Sequence, residues 1–67
     1  QKPTLYLSLH PFLMENPKES LENIFHIIDT YDYLYDNKLN EKRKNWILNE
    51  ENFNRSFEIV LTDKQLN

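Results

Sequence analysis

Sixty-seven residues without one glycine or cysteine leave a chain few routes to a stable fold. Disulfides are impossible, and a chain of this size hides only about 60% of the surface it exposes when unfolded. Small scaffolds compensate with a cross-link, a metal or a partner chain. The two histidines, His10 and His26, fall in different segments with no short-spacing ligand motif, so no metal site is expected. Association with another chain is the remaining source of stability.

The same absences exclude whole function classes. Loops that cradle phosphate need a backbone without a Cβ in the way, so a dinucleotide fingerprint, a P-loop and a nucleophile elbow are all missing. Without thiols there is no thiolate zinc site, redox pair or cysteine nucleophile. No nucleophile–base set stands out either, so the sequence suggests no catalytic residue, no cofactor and no enzyme. Apolar runs reach only three residues, as in Phe12-Leu13-Met14, too short to span a membrane, and no basic-then-apolar leader opens the chain. The expectation is an intracellular protein, cytoplasmic or nuclear. The start at Gln1 reads as a segment cut from a longer one.

The clearest element opens at Asn16-Pro17-Lys18-Glu19. Asn caps a helix, Pro suits its first position, and Glu three residues after the cap can reach back to it. Leu21, Ile24, Phe25, Ile28, Tyr31 and Tyr35 then follow helical spacing, with Ile27 and Leu34 widening the apolar face. This predicts a helix to about Asp36-Asn37, where Asn can take the left-handed conformation usually left to glycine. Its apolar arc approaches a half-circle, wide enough for two neighbours.

Asn40-Glu41 can cap a second helix through Trp46, Ile47 and Leu48, and Asn49 or Asn52 a third. Leu39, Trp46, Phe53 and Val60 recur every seven residues, though charged and polar residues interrupt the seam. Two segments, 4–9 and 56–62, alternate as strands would but also fit short helices. The reading is therefore a mostly α fold, a small bundle of about three helices with a short or extended N-terminal segment. The alternative is an α+β fold with a two-stranded sheet made from residues 4–9 and 56–62. Residues 1–67 form a single module in either case.

Charge is uneven along the chain. Residues 15–36 carry six acids and one base, whereas 38–44 carry four bases and one acid. Glu22, Asp29 and Asp36 recur at seven-residue spacing, with Asp32 beside them, and read as a solvated helix edge. The basic turn of one chain can meet this acidic edge of another.

These patterns point to a non-enzymatic protein–protein interaction module that drives homo-oligomerisation or assembly of a larger protein. The expected interface residues are Ile24, Ile27, Ile28, Tyr31, Tyr33, Leu34, Tyr35 and Trp46, since apolar and aromatic groups dominate contact energy. One alternative is a nucleic-acid contact through Lys42, Arg43 and Lys44, next to Trp46. Another is a small acidic inhibitor protein that presents its carboxylates to a basic partner.

Overall fold

The computed structural model describes residues 3–66. Its one α-helix, α1, spans Pro17–Ile28 and starts as the capping residues require. The Asn16 side chain accepts the Glu19 N–H at 3.3 Å, satisfying one orphan donor at the helix start, while Glu19 Oε2 reaches back to the Asn16 Nδ2 group at 3.2 Å and not to its backbone N–H. The helix stops a full turn and more before Tyr35. The Thr30 and Tyr31 N–H groups bond Ile27 and Ile28 carbonyls, and the Thr30 hydroxyl caps Ile27 again at 2.7 Å. These tighter bonds close the last turn and release the chain into an extended segment.

Four strands follow or precede that helix: β1 over Leu5–Leu9, β2 over Tyr33–Asp36, β3 over Glu41–Lys42 and β4 over Phe57–Thr62. They form one antiparallel sheet in the order β1-β4-β2-β3. The chain is therefore a small α+β fold, and the expected three-helix bundle is incorrect. Segments 4–9 and 56–62 hold paired strands, but inside a four-stranded sheet and not as an isolated pair. The helix expected at Trp46 is only a 3-10 stretch, Lys44–Leu48, followed by a second one at Glu50–Asn52. The heptad from Leu39 to Val60 runs through a turn, 3-10 segments and a strand.

Burial explains the architecture. β4 lies in the middle, paired on both edges, and reads as a nearly continuous apolar run in which every residue but Glu58 is buried. On one face Leu9, Leu34, Phe57, Ile59 and Leu61 pack with Leu21 and Ile28 of α1, and with Tyr31 and Ile47. The opposite face carries Tyr6, Ser8, Tyr33, Tyr35, Glu58, Val60 and Thr62, as the strand registers require. No helix covers it among the described residues.

The fold does have fasteners, and two are tyrosines. The Tyr31 hydroxyl donates to the Pro3 carbonyl at 3.0 Å, and the Tyr35 hydroxyl accepts the Leu66 N–H at 2.8 Å. One ties down the start of the described chain and the other its end. A third fastener is Asn52, fully buried, whose Nδ2 donates to the Trp46 carbonyl at 2.7 Å. Its Oδ1 accepts two bonds from Arg55, at 2.9 and 2.6 Å, so the loop before β4 is cross-braced without a disulfide.

Candidate interaction surface

The helix-face interface expected from periodicity is mostly consumed inside the chain. Ile28, Tyr31, Leu34 and Tyr35 are buried in this chain's own packing, and Ile24, Tyr33 and Trp46 are half-buried. Only Ile27, 50% exposed, stands clear on the helix. The second neighbour demanded by a wide apolar arc is the sheet itself together with the 3-10 stretch after β3.

The basic turn is likewise engaged. Lys44 Nζ reaches the Asp29 carbonyl at 3.3 Å and its carboxylate at 3.5 Å, so this acid–base contact forms within one chain. Lys42 Nζ lies 5.3 Å from the Trp46 ring centroid, and the Arg55 guanidinium lies 5.7 Å from it and 5.1 Å from Phe57. Cations held against aromatic faces brace the loop and occupy the ring that a nucleobase would need for stacking. Arg43 is the exposed member of the trio Lys42, Arg43 and Lys44. The expected acidic edge is also divided: Glu22 is on α1, Asp29 caps it, and Asp36 ends β2.

Near the end of β1, His10 Nδ1 and Ser56 Oγ are 2.8 Å apart. They bound a shallow cleft of about 170 Å³ shared with Ser8, Arg55 and Glu58. No carboxylate hydrogen-bonds His10 among the described residues, so nothing orients the imidazole toward the hydroxyl as a nucleophile–base pair needs. The bond links the residue after β1 to the residue before β4 and so closes that ladder. Among the described residues no group of three or more His, Asp or Glu side chains can hold a metal ion. No helix among them is long and apolar enough to cross a membrane.

What the sheet leaves open is β1. It is five residues long, uncharged, free of proline, and paired only on its β4 side among the described strands. The other edge, β3, has two residues, one acidic and one basic. Short and charged edges discourage further pairing; a longer neutral one invites it. Beside β1, on the face away from α1, Tyr6 is 74% exposed and Leu39 44% exposed. They border a groove of about 350 Å³ floored by Ile59 and Val60.

Leu39 reaches that groove at a cost. Its φ of 63° is the left-handed conformation, which costs a residue with a Cβ about 1 kcal/mol or more. The turn between β2 and β3 forces it there. Asp36 Oδ1 accepts the Lys38 and Asn40 N–H groups, each at 2.9 Å, while Asp36 O accepts the Leu39 N–H at 3.0 Å. The helix end expected at Asp36-Asn37 is instead a turn between two strands, and Leu39, not Asn37, takes the left-handed position.

Asp36 is the hub of this turn, and its carboxyl is held below its ordinary value of 3.8. Burial pushes it up, but the Asn40 and Lys38 N–H groups, the Asn40 side chain and the Lys42 charge together outweigh that. A depressed folded value adds stability above the unfolded value, and this is lost as pH falls through the folded one. Asp36→Asn is therefore expected to destabilise the chain at pH 7, with the gap to wild type narrowing below about pH 4. Denaturant midpoints measured from pH 7 to pH 3 check this; a gap that stays constant across the range contradicts it.

No family model, no curated protein and no solved structure matches this chain.

Proposed function

We propose that the chain is a protein–protein association module whose docking element is the edge of its sheet. The observation that carries this reading is the neutral, unguarded β1 strand beside Tyr6 and a strained Leu39. Backbone groups on an open edge offer hydrogen bonds to any extended strand, and neighbouring side chains then choose among strands. A left-handed leucine supports the reading because asparagine or glycine at that turn position would relieve strain and remove the apolar side chain from the groove.

Nucleic-acid contact is less well supported. Its lysines and tryptophan already hold one another or Asp29, and the net charge of the chain is −3.

The test uses a synthetic, uncharged heptapeptide of alternating threonine and valine, titrated to about 1 mM into isotope-labelled protein, weak strand contacts being expected at this size. The expected result is amide shifts concentrated on Leu5–Leu9 and the adjoining β4. No shifts, or shifts centred on α1, contradict edge docking.

A further inference from the structure

Resting on that reading, we infer that the strand which docks on β1 is β1 of a second copy, antiparallel, with Leu7 facing Leu7 across a two-fold axis.

The sequence of the edge is self-complementary about Leu7. This register sets Leu5 opposite Leu9 and Tyr6 opposite Ser8, and no two charged side chains oppose one another. Pro3 and Pro11 lie two positions beyond the strand at its two ends, Pro11 buried at the start of a 3-10 turn where the chain leaves the edge. Proline has no N–H to give, so the two prolines end the ladder at the limits of β1. Sliding the register two residues either way brings a proline opposite a strand leucine and shortens the ladder. A one-residue slip turns each helix-covered face toward the partner's open face. Leu7 on the axis is thus the register that keeps both apolar faces aligned and both prolines outside.

The open face gains as well. Across this axis the two Tyr6 side chains are diagonal neighbours, about 7–8 Å apart at the backbone and within reach of aromatic rings. Each exposed Tyr6 then lies between its own groove, lined by Leu39 and Val60, and the ring of the partner. The product is a continuous eight-stranded sheet with both helices on one side. Such a contact is small, so a dissociation constant on the order of 100 µM is expected.

Because the chain has no cysteine, introduced thiols report pairing without interference. Tyr6→Cys and Ser8→Cys, both at exposed positions, are prepared separately and then mixed under mild oxidation. Opposed residues lie about 4.5–5.5 Å apart, within disulfide reach, whereas like residues are diagonal and at or beyond its limit. The mixture should give at least about fivefold more covalent dimer than either variant alone, containing one chain of each kind by mass. Equal cross-linking of mixture and single variants overturns the register. Sedimentation of wild-type protein to about 1 mM provides the second measurement, and a strictly monomeric species there overturns self-pairing. If that monomer still takes up the threonine–valine peptide on β1, edge docking stands and only the second copy is lost. If it takes up neither, both readings fall.

Discussion

Leu61→Ala should lower the melting temperature by roughly 12–24 °C. Leu61 is fully buried in the central strand. Its register partners are Leu5 on one side and Leu34 on the other, and it belongs to the cluster that Leu21 and Ile28 of α1 close from above. Removing three side-chain carbons there leaves a cavity that neighbours on three sides cannot fill without moving, a loss of about 3 kcal/mol. A 67-residue domain has only about 3–10 kcal/mol in total, so the variant approaches the unfolding threshold at room temperature. Ile27→Ala is the control. Ile27 sits on the helix at half exposure, and its truncation should shift the melting temperature by no more than a few degrees. Thermal scans of the two variants side by side check both; equal losses contradict a core centred on β4.

The helix start was legible because Asn16, Pro17 and Glu19 act locally, through bonds closed within one turn. The helix end was not, and the reason lies in two overlapping periods. Ile28, Tyr31 and Tyr35 continue helical spacing, but Tyr31, Tyr33 and Tyr35 also alternate with Asp32, Leu34 and Asp36, the period of a strand. Three aromatics at every second position was the signal for β2. Long-range pairing decided between the periods: Tyr33–Asp36 finds β4 as a partner, which no local window reveals. The same holds for β1 and β4, whose pairing joins Leu5 to Leu61 across nearly the whole chain.

Misreading the helix end displaced the candidate site. Tyr31 and Tyr35 carried the right chemistry for contact anchors, and they do anchor, but to Pro3 and Leu66 of their own chain. The feature that now matters, an open edge, is a property of strand order, and the sequence alone could not supply that order. Tyr6 and Ser8 looked unremarkable until β1 was placed outermost. The need for a staple, read from the missing cysteines, is answered in part by hydroxyl and amide bonds from Tyr31, Tyr35 and Asn52.

Paired charges at Tyr6 and Ser8 should switch association off and on without touching the core. Tyr6→Lys/Ser8→Lys sets like charges opposite each other twice across the two-fold, whereas Tyr6→Glu/Ser8→Lys sets opposite charges there. Within one chain both variants place lysine opposite Glu58, and the two monomers differ only in the charge at residue 6, diagonal to Glu58, so melting temperatures are compared alongside. Directly opposed charges in a sheet contribute roughly 0.2–1 kcal/mol per pair, favourable or unfavourable by sign. Two pairs with reversed sign therefore separate the variants by about 1–4 kcal/mol, roughly five- to a thousandfold in dissociation constant. Net charge works in the opposite direction. The double-lysine variant neutralises part of the −3 on each chain and should associate better if long-range repulsion governed the contact.

The most direct measurement is sedimentation equilibrium of these two variants under the same buffer and salt. Edge pairing about Leu7 predicts that Tyr6→Glu/Ser8→Lys dimerises at least about fivefold more tightly than Tyr6→Lys/Ser8→Lys. Equal association, or tighter association of the double-lysine protein, contradicts it.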